Sequence, residues 1–478
     1  MARVKSSDAL RADAHPFPVL ALTRRGRWLV RGLKALYAVV GLFLGKKWRK
    51  PRKNFEENPR SSRVLGAVYL GYKYYHRPPV QAEAGIEAHF RNQNLRFDRP
   101  EGFAVENRLT LSAGGDLLPY ARINPEACEH LWDEVGDFFF NADIVTANLE
   151  TPLATSLPPS LVPEVMLNDM HFNGSEGLFR VFDAQVGAAW GRYRGFDVLS
   201  TANNHTLDQG EFGVFETLEF LEKRQILATG SARSPEERRQ IPMLERNGIR
   251  VAFVAWTYSL NHLLPPDDKP WLVNYERLNV PDPHLDGLVA DLVRARQLGA
   301  DLVVLHLHTG NAYQAFPSAH TVRTYHRIFE QSGVDVILGS HPHNPQPMEH
   351  YVFTDPFTRR RKQGFAIYSL GDFVSDDIFT WCHLVPLLKL TVEKGTLGGK
   401  PHAQVSGVEV LPVYNWGSKT GEELRFLDLK KMVRRVQNGQ RPPFLSDLCL
   451  RELRHLNHFC DRYFLPENGS YLLATTEG

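Results

Sequence analysis

Cysteine is scarce in this sequence of 478 residues, and what there is lies scattered. Cys128, Cys382, Cys449 and Cys460 form no C-x-x-C pair, which excludes a zinc ribbon and the disulfide framework of a small secreted domain. Long apolar runs are missing as well: the stretch from Ala35 to Gly45 falls short of the roughly 20 helical residues that a bilayer crossing takes. There is no P-loop, internal repeat, low-complexity tract or nucleic-acid recognition motif. P-loop nucleotide hydrolysis, solenoid architectures and nucleic-acid partners therefore have no support.

What is present describes an ordinary globular chain. With 43% hydrophobic and 23% charged residues it can bury a large core, as one large α/β domain with additions or as two to three average domains. The charge is unevenly spread. Residues 1 to 80 carry 18 Lys/Arg against 4 Asp/Glu, a surplus of +14 that leaves −12 for the rest of a chain whose net charge is +2. We therefore expect a basic N-terminal extension over residues 1–100, helical and set apart from the remainder.

Within that extension, "WLVRGLKALYAVVGLFLGKKWRKPRK" places an apolar stretch before a basic cluster. Extending the stretch back to Trp28 brings in Arg31 and Lys34, each costing about 2.5–3.5 kcal/mol at the bilayer centre and less near an end. An interfacial helix held on anionic lipid by Lys46, Lys47, Arg49, Lys50, Arg52 and Lys53 thus fits at least as well as a single transmembrane anchor. A plain basic helical extension is the simpler alternative. No cleavable signal is expected, because Arg31 and Lys34 interrupt the segment that should be apolar.

From about residue 105 short apolar runs alternate with amphipathic ones. "LTLSAGG", "ADIVTANL", "FDVLSTA", "RVAFVAW", "DLVVLHLH", "VDVILGS" and "FAIYSLG" read as strands, and several lack the polar alternation of a half-exposed sheet. "EHLWDEVGDFFF", "FGVFETLEFLEKRQ", "LDGLVADLVRARQLG" and "TVRTYHRIFEQSG" carry apolar residues at helical spacing. "LVPLLKLTVEKGTLGG" and "AQVSGVEVLPVYNW" read as an antiparallel pair, and "FLSDLCLRELRHLNHFCDRYF" as a helix. The expected fold class is α/β, a layered β-sheet core covered by helices over residues 105–415, with a helical C-terminal extension over 416–478.

Polar residues cluster at the ends of these strands, where ligands sit in open α/β sheets. The endings read Gly115-Asp116, Asn148-Leu149-Glu150, Asn203-Asn204-His205, His306-Leu307-His308 and His341-Pro342-His343. Period-two spacing of Asn148 with Glu150, His306 with His308 and His341 with His343 puts each pair on one side of an extended backbone. Imidazole, carboxylate and amide oxygen together suit Mn, Fe or Zn better than Ca or Mg. Asp208 is expected to shape its loop rather than react. His306 reads as a buried, hydrogen-bonded residue. Asn203 either orients His205 or caps its own turn, while His383, His455 and His458 read as structural or solvated.

"GGD", "ANLETPL", "FDVLSTANNHTLDQG", "HTGNAY", "DVILGSHPHNPQPME" and "YSLGDF" resemble the ordered motifs of the CapA, or poly-gamma-glutamate capsule synthesis, family, a branch of the calcineurin-like metallophosphoesterases. The resemblance covers roughly residues 105 to 415. It implies a site for one or two divalent metals, with Asp116 and His343 on one, Asn204, His308 and His341 on the other, and Glu150 either bridging them or beside the bridge. It also implies His205 as acid or charge stabiliser at the leaving oxygen. Two such metals, about 3.5–4 Å apart, activate a water and clamp both oxygens of an in-line displacement.

The chain departs from that pattern in places. Asp116 is followed by Leu117 and Leu118 where the wider superfamily has Asp-x-His, so one nitrogen ligand is missing. Thr309 and Ala312 stand where the family has tryptophan and glutamate, and Asp372 where it has asparagine; Asp372 either adds charge to the site or caps a turn. The function implied is synthesis, release or anchoring of an anionic surface polymer, through hydrolysis or transfer of a phosphoester or acyl bond. Polymer-synthesis proteins and a membrane surface are the implied partners. A non-catalytic scaffold of a membrane polymer-synthesis assembly and a soluble nucleotide or phosphosugar phosphatase are the alternatives. Substrate choice is assigned to the loops at 152–178 and 257–283.

Overall fold

The computed structural model describes residues 22–48, 63–166, 170–474 and 476. The chain first lays down β1 (Phe103–Asp116), β2 (Ile144–Asn148), β3 (Val198–Ser200) and β4 (Leu227–Thr229) side by side and parallel. It then builds a second sheet from β5 (Met243–Arg246), β6 (Ile249–Thr257), β7 (Leu302–His308), β8 (Val336–Ser340), β9 (Pro345–Thr354) and β10 (Arg361–Leu370). Finally β11 (Leu384–Leu397), β12 (Lys400–Gly417) and β13 (Leu424–Asp428) return to the first sheet as an antiparallel meander. The orders are β13-β12-β11-β1-β2-β3-β4 and β5-β6-β7-β8-β10-β9.

The sheets pack face to face with helices on their outer sides, as the layered expectation had it. In β2 the alternation is clean: Ile144 joins the core shared with the second sheet, whereas Val145 and Ala147 join the aromatic cluster of Trp132, Phe139 and Phe179. Thr146 shares the inward face with Ile144, and its Oγ1 lies 2.9 Å from Nε2 of His306 on β7. A one-residue slip of β2 would swap these faces, so register is strongly specified. The helices Asp286–Gln297 and Ala319–Ser332 cover the second sheet through Leu288, Leu292, Tyr325 and Phe329. Each such fully buried side chain stabilises by about 1.5–3 kcal/mol.

Several expectations are corrected. Of "EHLWDEVGDFFF" only Gly136–Phe140 is helical; no side chain caps its start, and Trp132, bonded through Nε1 to Val181 O at 2.8 Å, is held by tertiary contacts instead. The residues after 415 are not helical throughout, because β13 adds an edge to the first sheet. The helix Asp447–Phe459 buries Leu453, Leu456 and Phe459 in the main core. His383 is structural: its Nδ1 lies 2.8 Å from Glu452 and its Nε2 2.9 Å from Asp377 O.

The N-terminal segment is helical but not set apart. The helix Arg24–Leu44 turns Val30, Leu33 and Tyr37 toward the body, and the helix Arg63–Tyr75 buries Tyr74 and Tyr75 in the main core. Tyrosine suits this place because its ring packs while its hydroxyl finds an acceptor; Tyr74 donates to Asp377 Oδ1 at 2.8 Å. The opposite face of the first helix stays bare, with Trp28 64%, Leu42 82% and Phe43 79% exposed beside Leu36 and Val39. Among the described residues no helix is long and apolar enough to cross a membrane. Arg49, Lys50, Arg52 and Lys53 of the basic cluster lie outside the described residues.

Candidate metal centre

The carboxyl ends of β1, β2, β3, β7 and β8 open at the same edge of the sandwich. Asp116 ends β1, and its backbone is stapled to the chain leaving β10: its N donates to Gly371 O, and Phe373 N donates to its O, both at 2.8 Å. The approach is so close that a Cβ on Gly115 would overlap Gly371 O. Only glycine fits there. The Asp116 carboxylate receives Asn148 Nδ2 at 2.8 Å and the His341 amide at 3.0 Å. Burial pushes its pKa up to about 6, against the opposing charge of His343 and these two bonds.

Asn148 therefore aims a ligand rather than acting as one, and it reaches His308 Nδ1 at 3.3 Å as well. His308 ends β7. Its Nδ1 also lies 2.9 Å from Ser340 Oγ, and its Nε2 lies 2.7 Å from Asn204 Oδ1 and 3.5 Å from Glu150 Oε1. Burial, then the neighbouring His341, His343 and His205, hold it well below the usual histidine range. His306, one step lower on the same face, has its pKa lowered to about 3 by burial and stays with Thr146, outside the converging groups.

His341 and His343 reach the site differently from the period-two expectation. The strand stops at Ser340, and the two histidines have φ of 96° and 61°, so they stand on a left-handed loop and not on one side of an extended backbone. Such residues cost of order 1–3 kcal/mol each and persist where their surroundings impose them. Tyr258 OH lies 2.9 Å from His341 Nε2. Tyr313 stacks on His343 with centroids 5.5 Å apart, and Asp372 Oδ1 lies 3.0 Å from His343 Nδ1. Although burial opposes it, this bond and the charges of Asp372 and Asp116 raise His343 to about 9. Asp372 thus adds charge to the site.

Two groups of ligand atoms result, Asp116, Glu150 and His343 in one and Glu150, His308 and His341 in the other, each within 4.8 Å. Glu150 belongs to both. It is fully buried, and neither carboxylate oxygen accepts a hydrogen bond from a described residue. Burial, then Asp116 and Asp372, hold its carboxyl well above the ordinary range. An orphaned acceptor costs about 1–3 kcal/mol, more when charged, and a cation between the two groups would remove that cost. The donor set fits a divalent metal.

Beside these groups His205 Nδ1 lies 2.6 Å from Asp208 Oδ2. Asp208 also accepts the Phe172 amide at 2.6 Å, and the Phe172 ring stacks on His205 at 4.1 Å, so it shapes its loop and holds the imidazole at once. Asn203 likewise does both things expected of it. Its Oδ1 accepts His205 N at 3.1 Å, and its Nδ2 donates to Leu149 O at 2.7 Å. Asn204 Nδ2 donates to Asn261 Oδ1 at 3.0 Å, and Asn261 Nδ2 lies 3.4 Å from His205 Nδ1. Phe172, Tyr258 and Asn261 escaped the sequence reading. The signal was there for two of them, since "TYSLN" follows β6 as the other polar endings follow their strands.

The full-length protein equilibrated with Mn or Zn should take up metal, and His308→Ala or His341→Ala should each lower the metal-to-protein ratio by at least one. Elemental analysis after desalting reads this directly. A ratio equal to that of the unmodified protein in both variants would remove these histidines from the ligand set.

Comparison with known proteins identifies the family. The capsule biosynthesis protein CapA of Bacillus anthracis is 25% identical over 281 residues, covering 57% of this chain and 61% of that protein. The PGA biosynthesis protein CapA of Bacillus subtilis (strain 168) is 28% identical over 205 residues, covering 42% and 49%. The chain thus spans between about half and three fifths of the length of these relatives. A solved structure of a hypothetical protein from Thermus thermophilus aligns over 64% of this chain and 99% of its own at 15% identity, with a TM-score of 0.34, a likeness too loose to align individual residues. The family model described as "Bacterial capsule synthesis protein PGA_cap" matches residues 110–377. That is more than half of the chain, which therefore belongs to the PGA_cap family of bacterial capsule synthesis proteins and has its metallophosphoesterase-like fold.

Proposed function

We propose that this chain is a metal-dependent hydrolase or transferase in the synthesis of a poly-gamma-glutamate-like surface polymer, acting on a phosphoester or acyl bond. The observation that carries this reading is the orphaned Glu150 carboxylate shared by two ligand groups, with the His205–Asp208 pair alongside. Asp116 and His343 would hold one metal, Asn204, His308 and His341 the other, with Glu150 between them. When bound, Mn, Fe or Zn ions there supply Lewis-acid polarisation of the scissile group and a water of lowered pKa.

The chain's own residues do the rest. Asn148 fixes Asp116 and His308 in their rotamers, and Tyr258 and Asp372 fix the rings of His341 and His343. With Nδ1 of His205 on Asp208, Nε2 is the nitrogen left to carry a proton to the leaving oxygen. The Phe172 ring over His205 keeps water off one face of the imidazole. Phe172 and Asn261 come from the two loops assigned to substrate choice, and both reach His205, which supports substrate binding beside the acid.

His205→Ala should lose roughly 10²–10⁴ in rate, the usual worth of a general acid, while keeping its metal. Turnover of a generic phosphomonoester or phosphodiester with Mn, together with complementation of polymer production in cells, checks this. Complementation by His205→Ala as good as that of the unmodified protein would end the catalytic assignment and leave the scaffold role.

We further propose that the N-terminal helix lies on the membrane surface. Its bare face of Trp28, Leu36, Val39, Leu42 and Phe43 is bordered by Arg24, Arg25, Arg31, Lys46 and Lys47, the arrangement of an interfacial amphipathic helix. Vesicles containing anionic lipid should co-sediment the protein at low salt and release it as ionic strength shortens the range of the charges. Leu42→Asp with Phe43→Asp should abolish binding at any salt. Undiminished sedimentation of that double variant would place the contact elsewhere.

A further inference from the structure

A second convergence of ligand atoms lies outside the centre described above and shares no residue with it. Glu349, on the edge strand β9, is 1% exposed. Its Oε1 lies 2.8 Å from Nε2 of His89, on the short helix Ile86–Arg91, and 2.9 Å from Nε2 of His326, on the helix Ala319–Ser332. The three ligand atoms lie within 4.8 Å of one another. Three separate elements thus aim two imidazole nitrogens and one carboxylate oxygen at one point.

We propose that His89, His326 and Glu349 form an independent binding site for a divalent transition metal, zinc before others, with a fourth position open to solvent. Two histidines and one carboxylate are a recurrent three-ligand zinc set. The carboxylate is held from behind by a hydrogen bond, as metal ligands generally are, and the two rings are held by aromatic packing. Tyr368 OH donates to Glu349 Oε2 at 2.6 Å, the His326 ring stacks on Tyr351 at 3.9 Å, and the His89 ring packs edge-on against Phe90 at 4.9 Å. The histidine side chains are 33% and 23% exposed, which leaves an entry path and room for a water ligand.

The competing description is a clasp of hydrogen bonds, in which both imidazole N–H groups donate to one oxygen. Distance separates the two states by little. Tetrahedral zinc, with ligands at about 2.0–2.1 Å, holds neighbouring ligand atoms about 3.3 Å apart. The ion therefore enters once each imidazole withdraws by about half an ångström, a small side-chain torsion. Bound there, it ties the segment that follows the N-terminal helices, through Ile86–Arg91, to the edge of the second sheet.

The test uses the full chain with Zn²⁺, and Co²⁺ as a spectroscopic probe, at fixed free metal. His89→Gln and His326→Gln each change a partly exposed side chain and so leave the fold intact; Glu349→Gln is the third variant. Each should lose one equivalent of zinc relative to its parent, both in the unmodified chain and in a His308→Ala/His341→Ala background. The Co²⁺ form of that background should show the intense visible absorption of a four-coordinate site, and the part that belongs to His89 should disappear in His89→Gln. Because each loss is read against its own parent and needs no turnover, its failure is distinct from failure of the proposed activity. Zinc content in His89→Gln and His326→Gln equal to that of their parents would leave only the hydrogen-bonded clasp and overturn the proposal.

Discussion

Everything at the carboxyl edge of this molecule is arranged around one buried carboxyl group, Glu150, whose neighbours are other acids and the imidazole of His308. Glu150 is sealed from solvent, accepts no hydrogen bond from a described residue, and stands between two sets of ligands. Burial and the neighbouring Asp116 and Asp372 favour the protonated form of such a group, and a cation bound beside it would favour the carboxylate instead. The rest of the site compensates its own buried groups carefully. Asp116 has two donors, His308 is bonded at both nitrogens, and His343 has Asp372. Both oxygens of Glu150 are left without a donor where two metals would share a ligand.

Two-sheet packing makes this convergence stable. The Thr146–His306 pair forms a dry polar layer directly beneath Asn148 and His308, and the Asp116 to Gly371 and Phe373 staple joins the end of β1 to the exit of β10. The ligands therefore hang from the ends of both sheets, with left-handed backbone at His341 and His343 and at Asn261 and Tyr313 of the same site. The N-terminal helices share a wall with the same site. Tyr74 packs on Tyr313 at 4.8 Å, Tyr313 stacks on His343, and Lys73 Nζ donates to Ala312 O. The N-terminal region is thus linked to a histidine of the centre through one intervening ring, Tyr313.

The strands legible in the sequence are those buried on both faces, because burial on both sides leaves a continuous apolar run. The ones it hid, β4, β5, β9 and β13, are the edges of the two sheets. An edge is paired on one side only, so it tolerates Pro345 at the start of β9 and charges such as Glu245 in β5. The site was legible for a related reason: polar residues immediately after apolar runs have no role in a core. What one dimension could not convey was direction. His341 and His343 share a spacing with His306 and His308, yet one pair lies on a strand and the other on a left-handed loop. Phe172 and Asn261 reach His205 from loops more than thirty residues away in the chain, and a bond of that kind leaves no local pattern.

The central claim is that Glu150 is the shared ligand of a two-metal centre. Electron paramagnetic resonance of the Mn(II)-loaded protein tests it most directly, because two manganese ions bridged by one carboxylate couple magnetically while isolated ions do not. The account predicts an exchange-coupled multiline spectrum in the unmodified protein and its replacement by an uncoupled signal in folded Glu150→Gln. An uncoupled six-line spectrum at every loading of the unmodified protein would contradict it.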